Sequence, residues 1–387
     1  MSAYRLSSTR IMAPMGFLYG FLPALLVILG IAIAALCFRR VFSLSRRPYS
    51  TARKIIERVV LSGIALVFLA VGLSSGINAL LLHQERAAMP GRLYEVNGHR
   101  MRIECTGSGS PTLVLSAGLG NDGLIWSAVQ PALSQTTRVC SYDRAGMGWS
   151  DPVSGPRDAD HIAAQLHGLL QAAGVTGPIV LMGHSIAGMY IRDYASHYPE
   201  QVKGLIFVDA STPLQNRDPA FAPHMTRPPP FRMFLTQAVF VLGIPRWLGG
   251  CRNNFPQLPP DRARLQSAER CHLIVSSPAG ESTNFDRSGE ETLHTGPYGD
   301  LPILIFTSDP ARALAQRQPR DMVAAWDRMQ ANLKNLSTRS RQIIARYSAH
   351  YIQLDRHDLI DREVPLFIEQ IRGTAPPPAQ YGTTITE

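Results

Sequence analysis

The 387 residues, 45% of them hydrophobic, suffice for one large α/β domain plus appendages. The formal charge of +9 is concentrated at one end: residues 1–58 hold nine Lys+Arg against the single acid Glu57, which is +8, leaving about +1 for the other 329. A nearly neutral main body excludes the basic footprint of a nucleic-acid binder, and the sequence contains neither a G-x-x-x-x-G-K-[ST] phosphate loop nor a zinc-type cysteine spacing.

After a short tail (1–10), Ile11 to Phe38 and Val59 to Leu82 run for 28 and 24 positions without a charge, whereas a spanning helix needs about 20 residues. Both segments (11–38 and 59–82) are expected to cross a membrane. The first is longer than the roughly 7–15-residue apolar region of a signal peptide, and it ends in Cys37-Phe38-Arg39-Arg40 without a small-residue cleavage pattern. The loop between them (39–58) carries Arg39, Arg40, Arg46, Arg47, Arg53, Lys54 and Arg58, which the positive-inside rule assigns to the cytoplasm. The chain beyond the linker 83–92 is then expected on the extracytoplasmic side. Arg5 and Arg10 pull the other way and leave the reverse orientation open.

From residue 93 strands and helices alternate, the pattern of a mostly parallel sheet covered on both faces. Leu93 to Asn97 and Arg100 to Cys105 form a predicted hairpin about Gly98. Strands follow at Leu113 to Ser116 and Val139 to Tyr142, with a helix near Trp126 to Leu133 between them and another over Asp158 to Ala173. The apolar run Pro178 to Met182 leads into a helix beginning at Ala187, and Gly204 to Asp209 closes this first part (93–210). Residues 211–298 are rich in Pro and Arg, but Phe231, Phe234, Phe240 and Trp247 argue that they pack as an inserted cap. The second part (299–372) contributes strands at Ile303 to Thr307 and Ser348 to Leu354 and a closing helix over Glu363 to Ile371. The tail 373–387, with Pro376-Pro377-Pro378, reads as disordered.

Gly183-His184-Ser185-Ile186-Ala187-Gly188 follows a buried-type strand directly. A strand that ends at a glycine and turns sharply into a helix exposes a serine hydroxyl at the sheet's carboxyl edge. The turn brings strand and helix close, so residues 183 and 187 must be small. At this point the chain resembles the α/β-hydrolase family over roughly residues 93 to 372. Arg138 to Ser150 is similar to that family's strand and loop ahead of the nucleophile, Thr112 to Gly120 to its oxyanion strand and loop, and His350-Tyr351-Ile352 with Asp355 to its histidine loop.

The resemblance implies an α/β-hydrolase sheet with an inserted cap, here preceded by two transmembrane helices, and a serine, acid, histidine order along the chain. Ser185 is the expected nucleophile and His350 the base, with His357 its competitor. Asp309 after Pro302 to Ser308 is the expected acid, and Asp209, at the end of the preceding strand, is the alternative. Backbone N–H groups of Leu119 and Ile186 are the expected oxyanion donors. Asp143 and Arg144 are expected to fix a loop, and His184 to pack or line the pocket wall.

Family geometry makes the strands of Cys105 and Cys140 neighbours, so a disulfide there is a hypothesis. Cys251 and Cys271 could clip the cap, and free thiols remain the alternative. The expected function is a membrane-anchored serine hydrolase cleaving a carboxylic ester of a small-molecule or lipid-like substrate, without cofactor or metal. An amidase or peptidase of the same fold and a non-catalytic ligand-binding protein are the alternatives.

Overall fold

The computed structural model describes residues 21–224, 229–252, 255–271 and 276–387. The tail 1–10 and the first part of the apolar segment 11–38 lie outside them. The chain forms two units: 1–89 with 229–253 and 265–275, and 90–228 with 254–264 and 276–387.

In the first unit, α1 (Leu22–Leu44) and α2 (Thr51–Ala87) are each long and apolar enough to cross a membrane. They pack through small residues: Gly30, Ala34, Ala65 and Gly72 are buried, and a Cβ on Gly30 would lie 2.6 Å from the Phe68 carbonyl oxygen. Large apolar side chains such as Leu36, Leu66 and Leu73 point outward instead. Small residues inside and large apolar ones outside is the arrangement of helices that associate by close backbone approach in lipid. The unit also holds α5 (Pro230–Val241) and α6 (Ile244–Trp247). The cap expected over 211–298 is therefore not one body: 229–253 and 265–275 group with the N-terminal helices, the former bonded to α2 through its backbone, as detailed below, and the latter through the Cys251–Cys271 disulfide.

The second unit is built on a nine-stranded sheet in the order β1-β2-β4-β3-β5-β6-β7-β8-β9. The antiparallel start comprises β1 (Arg92–Val96) and β2 (His99–Thr106), the latter pairing with β4 (Val139–Tyr142). All other pairings are parallel: β3 (Thr112–Ser116), β5 (Ile179–His184), β6 (Val202–Val208), β7 (Ile303–Ser308), β8 (Ser340–Ala345) and β9 (Thr383–Thr386). β3, β5 and β7 are buried at every residue, as strands covered on both faces must be. One apolar cluster includes Val114, Leu181, Phe207 and Tyr194; the other, Leu113, Val180, Phe306 and Ile360. Covering helices include α3 (Ala159–Ala172), α4 (Ala187–His197), α9 (Arg320–Asn332) and α10 (His357–Arg372), while α7 (Ser276–Thr283) lies beside α8 (Phe285–Thr292), which packs on α3 and α4.

Two expectations are corrected. The strand expected over Ser348 to Leu354 lies earlier, at β8; Tyr347 turns through φ +66° and Ile352–Asp355 is helical. Ile343 and Ile344 supply the β-branched residues of the real strand, whereas the stretch after it must turn to carry His350. The tail 373–387 is not disordered to its end: its Thr- and Ile-rich β9 extends the sheet beside β8, and Thr384 donates to Gln342 Oε1 (2.9 Å). Both cysteine pairs are bonded, Cys105 to Cys140 between facing positions of β2 and β4, and Cys251 to Cys271 within the first unit. Cys37 is free and buried.

Candidate active site

From β3 the chain passes to β4 on one side and returns to β5 on the other, so the order reverses between β3 and β5. Carboxyl ends of parallel strands at such a switch point open a crevice where ligands bind. The loop after β3, the turn after β5 and the ends of β6, β7 and β8 all meet this edge.

Ser185 stands at the turn between β5 and α4 with φ +56°, a conformation costly for a side-chain-bearing residue. The turn is held by main-chain bonds: Ser185 N donates to the Val208 carbonyl (3.1 Å), and the Ser185 carbonyl accepts from Gly188 N (2.9 Å) and Ser211 N (2.8 Å). The tightness is visible at Gly183, where an added Cβ would sit 2.7 Å from the Ala187 carbonyl oxygen. Ala187, where a glycine is commoner, is accommodated fully buried.

His350, on the loop after β8, is hydrogen-bonded through Nδ1 to Asp209 Oδ2 at 2.7 Å. Asp209 is buried at the end of β6, and its Oδ1 accepts from Ser308 N (2.9 Å) and Trp326 Nε1 (2.8 Å). Burial by itself raises a carboxyl pKa, but the His350 bond and charge, the Ser308 amide and the Trp326 indole outweigh it and hold Asp209 below its ordinary value. An ionised Asp209 only accepts, so His350 Nδ1 donates this bond.

Asp309, the acid expected first, is not at the imidazole. Its Oδ1 accepts from Ala311 N (2.9 Å), capping the helix Pro310–Ala315, and its Oδ2 accepts from Tyr347 N (2.8 Å). It fastens the loop that carries His350, and the alternative Asp209 takes the place beside the ring. His357 is remote in role as well: it opens α10, exposed, bonded to Asp361 (3.1 Å).

The loop after β3 lies against the serine. A Cβ built on Gly118 would be 3.2 Å from Ser185 Cβ and 2.7 Å from His184 Nδ1, so only glycine lets this backbone approach. Leu119 N and Ile186 N find no backbone acceptor among the described residues. The loop is held from behind by buried Arg144, which donates to the Ala117 carbonyl and, at 2.8 Å, to the Gly118 carbonyl. Arg144 is in turn paired twice with Glu281 of α7 (2.8 and 2.9 Å), and Arg157 adds a third bond to that carboxylate (3.1 Å). Burial lowers the Arg144 pKa, but the Glu281 charge and hydrogen bonds more than reverse this. Asp143 accepts from Gly123 N, Arg102 and Trp149 N, a loop-fixing role as expected.

Sequence reasoning missed three contributors. Trp326, on α9, reads there only as an apolar helix position. Glu281 lies in a stretch without strong periodicity. His184 does more than pack: buried, with its pKa pushed down to about 3 by burial and then by His350 and Arg144, it stays neutral. Its Nε2–H donates to the His350 carbonyl (2.9 Å), tying the histidine loop to the serine turn. Adjacency to Ser185 was the one signal that could have indicated this.

A cavity of about 270 Å³ opens over these groups, lined by Ser185, Asp209, His350, Phe221, Met322 and Trp326 among others. It is large enough for a small ester and mixed in polarity.

A serine on a strand-to-helix elbow, with a carboxylate after β6 and an imidazole after β8 at the same edge of the parallel sheet, is an α/β-hydrolase architecture. Residues 113–372 match the alpha/beta hydrolase family, and the chain belongs to it. It is 38% identical over 237 residues to an uncharacterized protein of Schizosaccharomyces pombe (strain 972 / ATCC 24843), covering 60% of this chain and 42% of that protein. It is 23% identical over 292 residues to an AB hydrolase superfamily protein of Gibberella zeae, covering 68% of this chain and 87% of that protein. Matches to three curated relatives, from Hormonema carpetanum, Schizosaccharomyces pombe and Bacillus subtilis, span 18%, 42% and 52% of their lengths. Among solved structures, the epoxide hydrolase VrEH1 from Vigna radiata superposes with a TM-score of 0.56 at 16% identity, over 74% of this chain and 99% of that one. DBJA superposes at 0.52 and 20% identity, over 74% and 98%. At such identities the likeness bears on the fold alone.

Proposed function

We propose that this protein is a serine hydrolase that cleaves a carboxylic ester of a small or lipid-like substrate through an acyl-enzyme. One observation carries the reading: a buried, ionised Asp209 bonded to His350 Nδ1, with a left-handed Ser185 lining the same cavity. A serine hydroxyl is too weak an acid to attack unaided, so a base with a free lone pair must take its proton. With Nδ1 committed to Asp209, His350 Nε2 takes that proton as Ser185 Oγ adds to the ester carbonyl. The N–H groups of Leu119 and Ile186 then receive the oxyanion, an interaction worth about 10²–10³ in turnover per donor. As the carbon–oxygen bond to the leaving group breaks, the proton passes from Nε2 to the departing alkoxide. A water, deprotonated by the same nitrogen, then releases the acid and restores the serine.

The same reading places the enzyme at a membrane through α1 and α2, with the second unit outside the cytoplasm. Two long apolar helices, their small-inside packing, the basic loop between them and two disulfides support it. The decisive experiment is fluorophosphonate labelling of the full chain in membranes, followed by peptide mapping. The adduct is expected on Ser185 and absent from Ser185→Ala; an adduct elsewhere, or equal ester turnover by that variant, overturns the nucleophile. Comparing intact with permeabilised cells reports the side of the membrane.

A further inference from the structure

The α5–α6 segment is inside out. Phe231, at 71% exposure, Phe234, Leu235 and Val239 recur on one outward stripe of α5, and Leu248 just beyond α6 is 80% exposed. The polar Gln237, at 1%, is buried on the opposite side. A helix packed on a protein in water has the reverse polarity.

Its partner is α2, within the same unit. Carbonyls at the end of α5 and at its C-cap accept from α2 side chains: Asn78 Nδ2 donates to Phe240 O (3.2 Å), Ser75 Oγ to Val241 O (3.3 Å) and Ser74 Oγ to Leu242 O (2.5 Å). Trp247 Nε1 donates back to Ser74 Oγ (2.7 Å). Arg246 bonds Asn78 Oδ1 and forms a two-pronged pair with Glu85 (2.7 and 2.8 Å). Ser74, Ser75 and Asn78 all belong to the charge-free stretch 59–82. At 1.5 Å per residue, Ser74 is about 16 Å along the helix from Glu85. These hydrogen bonds therefore reach from the charged end of α2 into its apolar span. In hydrocarbon every backbone polar group needs such a protein partner.

We propose that α5 and α6 form a membrane-embedded hairpin beside the end of α2, with the Phe231–Phe234–Leu235 stripe among the acyl chains of one leaflet. The occupant is lipid because the stripe belongs to the same unit as the outward apolar faces of α1 and α2, while Arg246, Trp247 Nε1 and the carbonyls that end α5 are bonded to α2. Arg246, paired at Glu85, marks the level of the headgroups, as a basic side chain near an interface does. The inference rests on α1 and α2 spanning the bilayer.

The test is tryptophan quenching of the full chain reconstituted in phosphatidylcholine bilayers brominated along the acyl chain. Emission is isolated at three places: native Trp247, by difference against Trp247→Phe; an added Phe234→Trp; and a control, Leu66→Trp, in the middle of α2. Loss of emission by brominated lipid at all three sites is expected. Quenching at Leu66→Trp with water-like, unquenched emission at both hairpin positions overturns the hairpin and leaves the spanning helices. No quenching at any site overturns the spanning reading and this one with it. Emission at the hairpin that is unquenched yet shifts to the blue as protein density rises means a second copy covers the stripe, which also overturns the proposal.

Discussion

Exchanging the acid for its amide separates the two aspartates. In Asp209→Asn the side chain keeps its volume and can still accept from Ser308 N and Trp326 Nε1 through its oxygen, but its NH2 then faces His350 Nδ1. A donor there forces the ring proton onto Nε2, the nitrogen that must take the Ser185 proton. Such a tautomer inversion lowers turnover by about 10⁴, or about 5.5 kcal/mol at 1.36 kcal/mol per decade. Asp309→Asn disturbs only the bonds from Ala311 N and Tyr347 N. These are worth about 0.5–1.5 kcal/mol each in stability, and because the bond between Asp209 and His350 stays intact a turnover loss of about tenfold or less is expected. The assay is hydrolysis of a chromogenic short-chain ester by the full chain, with circular dichroism confirming that each variant is folded. A larger loss for Asp309→Asn than for Asp209→Asn would refute the assignment of Asp209 as the orienting acid.

Glu281→Ala strands the buried guanidiniums of Arg144 and Arg157, and breaking such a pair costs about 3–5 kcal/mol. Unfolding midpoints should fall, and because Arg144 holds the Ala117–Gly118 carbonyls, kcat should drop more than KM changes. Gly118→Ala drives a Cβ to 2.7 Å from His184 Nδ1 and 3.2 Å from Ser185 Cβ, so fluorophosphonate labelling should slow sharply while overpacking costs about 1–3 kcal/mol. His184 has a folded pKa of about 3 against 6.5 in its ordinary state, so between these values the unfolded chain binds the extra proton. Stability is then complete above pH 6.5 and declines as the pH falls, by about 1.4 kcal/mol per unit. Thermal scans from pH 7 to pH 4 should show this slope flattened in His184→Gln. Cys105→Ser opens a bond closing a 35-residue separation and should cost about 4 kcal/mol by loop entropy.

The elbow was legible because its chemistry is local: a buried strand, a glycine, a serine and a helix are consecutive in the chain. His350 was legible for a similar reason, through its turn and the residues that follow it. The acid was not. Asp209 and Asp309 both end parallel strands, and only the path of the loop after β8 decides which of them the imidazole meets. Asp309 fastens that loop, its two oxygens accepting from Ala311 N and Tyr347 N, while His350 reaches Asp209. The β9 pairing was hidden by the prolines ahead of it, which describe the connection rather than its end. The insertion was misjudged as one cap because Phe231 and Phe234 were read as core residues, when their side chains face outward and the partner of the backbone at Phe240, Val241 and Leu242 is a helix more than 150 positions earlier.

Ser211 lies two residues after Asp209 and is also a clamp on the serine turn, since its amide meets the Ser185 carbonyl. The doorway to the insertion is thus bolted to the left-handed Ser185 turn, and among the described residues beyond Thr212 no backbone amide bonds that turn. Chimeras that graft a foreign cap should splice there or later; cutting two residues sooner would rewire the nucleophile along with the specificity.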